Sequence, residues 1–216
     1  MLPKKQKGLS RLSLFYGKTR VKSIRNKFYS KAQCFRANFS NTSFFNVNFK
    51  GAILTSCRFK NAEFSQVEFL GTNLKKSNFT DAVFKSCVFS AALLKNSNFK
   101  GCIFENCIFV NTNLKLAKNI VIDDSNRFYS QRPTPVVSEC IMNLLDGLRF
   151  NSRIHNSRVL HLKGGKVNSL TLFSLLERLG EDKLLMGLKS LNGFLPYRIV
   201  TANGLCNVID KAGRYR

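Results

Sequence analysis

Residues 37–116 read, in successive fives, ANFSN TSFFN VNFKG AILTS CRFKN AEFSQ VEFLG TNLKK SNFTD AVFKS CVFSA ALLKN SNFKG CIFEN CIFVN TNLKL. The third residue of all sixteen fives is Phe or Leu, and the first is always Ala, Cys, Ser, Thr or Val. A large apolar residue at every fifth position fits neither the period of a helix nor that of a strand. The stretch is therefore an internal repeat, and the repeat decides the fold.

The central residues also vary with a longer period. Leucine occupies the centre only at Leu54, Leu74, Leu94 and Leu114, which are 20 residues apart, and the other twelve centres are phenylalanine. Centres 20 residues apart stack on one side if four fives make one turn. The sequence therefore predicts about four stacked coils with four sides, spaced by about 4.8 Å as in a sheet.

This pattern resembles the pentapeptide-repeat family, whose motif is A(D/N)LXX with Leu or Phe at the centre. The resemblance implies an all-β right-handed quadrilateral β-helix over residues 32–116, with the centres pointing inward. It also implies a mostly non-enzymatic binding protein, since that is what most members are. Four cysteines take the small first position of a five, so we expect them in the core rather than in a metal or redox site: Cys57, Cys87, Cys102 and Cys107.

Basic residues outnumber acidic ones and are concentrated near the start of the chain. The 216 residues include 35 Lys+Arg and 12 Asp+Glu, a formal net charge of +23. Residues 1–31 hold ten basic and no acidic residues, so they are predicted to be a basic N-terminal arm with an anionic partner. The candidate contacts in the arm are Lys18, Arg20, Lys22, Arg25 and Lys27.

A second group of candidate contacts lies on the leucine side of the repeat. Lys75, Lys95 and Lys115 each follow a leucine centre, and Lys76 adjoins the first of them. Like charges about 5 Å apart repel by about 1 kcal/mol per pair even in water. Two interpretations remain open: the side chains splay into solvent, or an anion lies across them.

Outward positions become apolar towards the end of the repeat, which indicates a covered surface. Two explanations are open: residues 117–216 fold back against these sides, or two copies form a homodimer. The protein is then a monomer or a homodimer. The interface candidates are Val83, Val88, Leu93, Ile103, Ile108 and Val110.

The five-residue period ends before residues 117–216. The sequence of these residues predicts a small α+β capping or interaction module. Helices are expected from about Pro135 to Phe150, over Leu170–Leu179 and over Glu181–Leu191. Strands are expected at Arg158–Leu162, Tyr197–Thr201 and Leu205–Ile209, the last two joined by an Asn203-Gly204 turn.

Several classes of function lack a sequence signal. An odd number of cysteines, seven, without a C-x-x-C pair argues against a disulfide framework, and no apolar run of 18 residues could span a bilayer. His155 and His161 are expected at the surface, and Lys163-Gly-Gly-Lys166 is interpreted as an ordinary turn because it lacks phosphate-loop spacing. We therefore expect no enzyme, cofactor, metal or small-molecule substrate.

The function that fits best is a scaffold whose basic surfaces bind an acidic protein, a nucleic acid or an anionic membrane surface. A nucleic-acid-binding protein using the arm is an alternative. A gyrase-protecting protein is a further one, although a DNA mimic needs an acidic face and residues 32–116 carry ten basic and four acidic residues. A secreted effector is another. The expected localisation is cytoplasmic, with the arm as a possible organellar or secretion address.

Overall fold

The computed structural model describes residues 21–214, which form two compact units divided between Ser130 and Gln131. The first unit is a parallel β-solenoid of about five turns. Its strands are β1 (Ser23–Phe28), β2 (Gln33–Phe35), β3 (Ser43–Asn48), β4 (Ile53–Thr55), β5 (Glu63–Ser65), β6 (Glu68–Leu70), β7 (Val83–Lys85), β8 (Val88–Ser90), β9 (Ile103–Glu105), β10 (Ile108–Val110) and β11 (Arg127–Tyr129).

Every strand pairing in the solenoid is parallel and joins residues one turn apart. Phe44 pairs with Phe64, Phe64 with Phe84 and Phe84 with Phe104, each 20 residues along the chain. We number the four faces by the centres beneath them. Face 1 covers Cys34, Leu54, Leu74, Leu94 and Leu114, and face 2 covers Phe39, Phe59, Phe79 and Phe99. Face 3 covers Ile24, Phe44, Phe64, Phe84 and Phe104, and face 4 covers Tyr29, Phe49, Phe69, Phe89 and Phe109.

The core of the solenoid consists of phenylalanine columns. Phe64 lies between Phe44 and Phe84 with ring centroids 4.8 Å apart and nearly parallel planes. Neighbouring columns meet edge to face, as Phe64 and Phe69 do at 5.6 Å. Both geometries are favoured by the aromatic quadrupole, so ring packing adds to the burial of these side chains.

The fifth residue of each repeat turns the corner. It has a positive φ in fifteen of the sixteen fives from Asn41 to Asn111, where Asn and Gly predominate. These residue types tolerate the left-handed region best. Leu116, the fifth residue of the last five, lies instead in a 3-10 helix, Leu114–Leu116, and the regular repeat ends there. The predominance of Asn and Gly at the fifth position is visible in the sequence, but the corners were not predicted from it.

Where the first residue of a five is Ser, Thr or Cys, its side chain hydrogen-bonds to the coil before it. Ser77 and Ser97 donate from Oγ to the carbonyls of Leu54 and Leu74, each at 2.7 Å. Cys107 donates its thiol to the Phe84 carbonyl at 3.4 Å, and Cys87 and Cys102 make equivalent bonds. Cys57, Cys87 and Cys107 are therefore core residues, as expected, whereas Cys102 is only partly buried against the core.

The solenoid extends beyond the predicted repeat at both ends. Strand β1 pairs with β3, so the predicted arm, residues 1–31, overlaps the first coil. Ile24 and Tyr29 take centre positions there, which a motif restricted to Phe and Leu does not register. At the other end, β11 pairs with β10, and the unit ends at Ser130 rather than at residue 116.

The second unit, residues 131–216, is helical, and the three strands predicted within it do not form. It contains α1 (Glu139–Gly147), α2 (Ser169–Leu191) and α3 (Ala202–Arg214), with a 3-10 helix at His155–Ser157. Gly180 breaks α2 with a φ of 71°, at the boundary predicted between two helices. The predicted terminal hairpin is instead α3, whose first turn is held by Thr201, which accepts from the Gly204 amide at 3.0 Å.

Helix α3 forms because its apolar residues follow a helical period. Leu205, Val208 and Ile209 are buried in the core of the second unit, with Leu184 and Leu188 of α2. The two helices approach closely at Gly187, where an added Cβ would lie 2.4 Å from the Ile209 carbonyl oxygen. The Asn-Gly pair was therefore a weaker signal than the spacing of apolar residues around it.

Replacing Phe64 with Ala tests the ring columns. We expect the solenoid to lose about 3–5 kcal/mol of unfolding free energy, because the cavity lies between two stacked rings. The matched control is Phe35→Ala. Because Phe35 is 46% exposed, this substitution should lower the unfolding free energy by less than about 1 kcal/mol. Urea denaturation measures both, and equal losses would contradict the stacked core.

Replacing Ala91 with Gly tests the left-handed corner. Ala91 has a φ of 50°, so glycine should relieve strain and raise the unfolding free energy by about 0.5–1 kcal/mol. The neighbouring Ala92 is buried and has no positive φ, so Ala92→Gly should lower it by a similar amount. If both substitutions shift the denaturation midpoint in the same direction, the left-handed conformation of Ala91 is not a source of strain.

Candidate functional site

The lysine ladder predicted on the leucine side is present on face 1. Lys75, Lys95 and Lys115 occupy equivalent positions in successive coils, and Lys76 lies at the corner beside them. The backbone holds them in register, because Lys76 N–H donates to the Lys95 carbonyl at 3.1 Å. The side-chain oxygen of Asn73 accepts a hydrogen bond from the backbone amide of Lys75 at 3.2 Å and so holds the backbone at this lysine.

Further cations continue this surface onto face 2, the adjacent face. Arg58 stacks between Asn38 and Asn78, and Lys118 follows Asn98 in the same column. Eight of the nine cations on the two faces are exposed, and Lys75 is half-buried. We call this set the basic surface: Arg36, Arg58, Lys60, Lys75, Lys76, Lys95, Lys100, Lys115 and Lys118.

The acidic residues of the repeat all lie elsewhere. Glu63 and Glu105 are on face 3, where Glu105 forms a 3.0 Å ion pair with Lys85. Glu68 is buried on face 4 and accepts from Asn48 at 2.6 Å. Asp81 is at the corner after face 2. Within residues 21–214, no member of the basic surface forms a salt bridge, so their charges are not compensated by this part of the chain.

Apolar side chains accompany the cations on face 1. Leu93 is 45% exposed beside Lys95, and Ile53 occupies the same column two coils earlier. Phe35 and Leu116 are also exposed on or at the edge of this face. Face 1 therefore offers both charge and apolar contact.

The predicted arm candidates are not part of the basic surface. Lys18 and Arg20 lie outside the described residues. Lys22, Arg25 and Lys27 are exposed in or beside β1, in the first coil. Arg25 lies over the Phe45 ring at 4.7 Å on face 3. The structure therefore brings together the four ladder lysines and separates them from these three arm cations.

The six interface candidates occupy three faces. Val83 and Ile103 are on face 3, and Leu93 is on face 1 with the lysines. Val88, Ile108 and Val110 are on face 4 and are buried. Five of the six candidates therefore lie on the two adjacent faces 3 and 4, and Leu93 lies apart from them on face 1. The fold-back of residues 117–216 stays a prediction.

The second unit contains a buried histidine, contrary to the expectation of two surface histidines. His161 is 7% exposed, and its Nε2 lies 2.9 Å from Asp146 Oδ1. Desolvation lowers the pKa of His161, although Asp146 opposes the shift. Partial desolvation opposes a low pKa for Asp146, but hydrogen bonds from His161 and Arg149 lower it overall. Nε2 of His161 therefore faces the Asp146 carboxylate, which accepts when that nitrogen carries a proton.

Neither a metal site nor a membrane-spanning helix is found among residues 21–214. No three His, Cys, Asp or Glu side chains there are grouped so that they could hold an ion. None of the helices in that range is both long and apolar enough to cross a bilayer.

The family comparison agrees with the geometry. A family model of pentapeptide repeats, in eight copies, matches residues 32–69. These residues are pentapeptide repeats. A second model, the SV2A/B/C luminal domain, matches residues 59–129 of the solenoid. No catalytic family matches the chain, and no curated protein is similar to it.

Solved structures similar to part of this chain include two pentapeptide-repeat proteins. One is from the Arabidopsis thaliana thylakoid lumen, with 22% identity, TM-score 0.29, and coverage of 50% of this chain and 77% of that one. HetL of Nostoc, involved in heterocyst differentiation, has 15% identity, TM-score 0.30, and coverage of 48% and 59%. QnrB1, a fluoroquinolone resistance protein, has 10% identity, TM-score 0.22, and coverage of 49% and 91%. The cytoplasmic localisation stays a prediction.

The titration of His161 should make the second unit less stable in acid. Its pKa is lowered by folding, so the contribution to stability is complete above about pH 6.5 and is lost as the pH falls through the lower folded value. His161→Gln keeps a donor for Asp146 but does not titrate. Urea denaturation at pH 7.5 and pH 5.5 should therefore show a larger acid loss for the natural protein.

The natural protein serves as the control for the variant. Both proteins have the same other groups facing His161, which are Asp146, Arg149 and His155. Equal acid losses in the two proteins would show that His161 does not titrate differently in the folded unit.

Proposed function

We propose that the protein is a non-enzymatic scaffold whose solenoid binds an anionic macromolecule across faces 1 and 2. The observation that carries this proposal is charge segregation. Nine cations lie on faces 1 and 2 and the corner between them, while three of the four acids of residues 32–116 lie on faces 3 and 4 and the fourth, Asp81, lies at the outer corner of face 2. A random placement of charges on four equivalent faces would mix the signs.

The spacing of the cations supports binding of an extended partner. Successive coils are about 4.8 Å apart, so neighbouring ladder lysines lie within the screening length of about 8–10 Å at physiological salt. Their positive potentials therefore add. The repulsion within the ladder is relieved when an anionic chain lies along it, and a rigid solenoid loses little entropy on binding.

The sign of the charge separates this proposal from mimicry of DNA. A mimic presents acidic groups to a DNA-binding protein, whereas faces 1 and 2 present basic ones, with a single acid, Asp81, at the outer corner of face 2. The partner we infer is instead an acidic protein or a nucleic acid. Exposed Leu93 and Ile53 beside the lysines add apolar contact to the charge attraction.

Neutralising the ladder tests the proposal. The variant Lys75→Gln with Lys95→Gln and Lys115→Gln should weaken binding to a labelled 20-base-pair DNA and to a labelled oligoglutamate. If DNA is bound through this ladder, the slope of log affinity against log salt should fall by about 2–3 units. Fluorescence anisotropy at several salt concentrations measures it.

The matched control removes the same charge elsewhere, at exposed lysines of the second unit: Lys163, Lys183 and Lys211. The proposal requires the ladder variant to bind less tightly than this control. Preference for DNA would identify the nucleic-acid class, and preference for oligoglutamate the acidic-protein class. Equal binding by the two variants, or no binding to either probe, would overturn the proposal.

A further inference from the structure

A cavity of about 420 Å³ lies within the second unit, apart from the basic surface. It is bordered by α1, by the Gly164-Gly165 loop and by the first turn of α2. Its size falls within the roughly 300–1,000 Å³ of ordinary ligand sites. The lining residues that matter below are Met142, Arg149, Gly164, Gly165, Lys166 and Leu172.

Arg149 is held at the edge of the cavity by bonds that leave its guanidinium only partly satisfied. Nη2 donates to the Gly165 carbonyl at 2.9 Å and to Asp146 Oδ1 at 3.0 Å. Nε is buried and has no acceptor in residues 21–214. A buried donor without a partner in a native protein commonly marks a place for water or an ion.

The two glycines let the loop approach this guanidinium. Gly164 and Gly165 have φ of 91° and 85°, a region that favours glycine. A Cβ on Gly165 would lie 3.0 Å from Arg149 Nη1 and 3.1 Å from Cζ, whereas a Cβ on Gly164 would meet nothing within 4 Å. A side chain at Gly165 would therefore displace the guanidinium, while the space beside Gly164 is open.

The charge and polarity of the lining define the ligand. Arg149 and Lys166 contribute two positive charges to the lining, and Asp146 contributes one negative charge. Lys166 is exposed and forms no salt bridge in the described part of the chain. Met142 and Leu172 supply an apolar wall. The cavity thus has a cationic rim and an apolar side.

We propose that this cavity binds a small phosphate monoester, with Arg149 and Lys166 contacting the phosphate and Met142 and Leu172 contacting an apolar substituent. Arginine donors and a lysine ammonium are typical phosphate partners. The sequence alone did not indicate this, because Arg149 is 16 residues from Gly165 and the loop lacks a phosphate-binding spacing. The ligand is bound here without a reaction.

Isothermal titration of the full chain with phenyl phosphate tests the proposal. Phenyl phosphate should bind more tightly than inorganic phosphate, which lacks the apolar group, and than phenol, which lacks the charge. Lys166→Gln should raise the Kd about tenfold. Lys163→Gln is the matched control, because Lys163 is exposed in the same loop but does not line the cavity.

Arg149→Lys gives a second variant, since it keeps the charge but loses the fork that holds Gly165. Arg149→Lys should also raise the Kd for phenyl phosphate. Circular dichroism of this variant should show a folded protein, so that the weaker binding is not due to unfolding. No saturable binding of phenyl phosphate overturns the proposal. Equal affinities of the Lys166 and Lys163 variants overturn it too, as does tighter binding of phenol.

Discussion

The solenoid depends on a backbone that repeats in exact register every 20 residues. Hydrogen bonds join each coil to the next, as from the Phe59 amide to the Asn78 carbonyl at 2.7 Å. The register places Phe39, Phe59, Phe79 and Phe99 over one another in a single column. Once the first residue of a five is small and the fifth is left-handed, the central ring has no other direction than inward. Core and corner therefore depend on the same constraint.

The same register acts on the outer surface. A side chain that follows a centre is stacked on its equivalents in the neighbouring coils, so identical residues become ladders. For asparagine this is favourable, because Asn61 donates to Asn41 at 3.1 Å and Asn46 donates to Asn26 at 2.8 Å. For lysine it is unfavourable, because the charges repel. The solenoid therefore loses stability through repulsion between stacked lysines unless a bound anion offsets that repulsion. This is the reason for placing the anionic partner on faces 1 and 2.

The sequence predicted the solenoid because its period is strict, and it failed where residues depart from the period. Ile24 and Tyr29 act as centres but are preceded by Lys22 and Lys27 where the repeat has small residues, so the first coil was interpreted as an arm. In the second unit the Asn203-Gly204 pair predicted a turn, although Leu205, Val208 and Ile209 have helical spacing. Tertiary packing against α2 decided between the two local preferences. The lysine ladder was predictable because it follows the repeat, whereas the cavity was not, because it joins residues distant in the chain.

The two units differ in the kind of recognition that their interiors permit. The solenoid interior is filled by rings such as Phe64, Phe84 and Phe89, each no more than 1% exposed, so no small ligand can enter it. Recognition by this unit must therefore use its outer surface, where the basic surface on faces 1 and 2 suits an extended charged partner. The second unit is built from helices and loops, and its irregular packing leaves a concave space beside Arg149. If both proposals hold, the regular unit binds a macromolecule along its stacked basic side chains, and the irregular one binds a small anion beside Arg149.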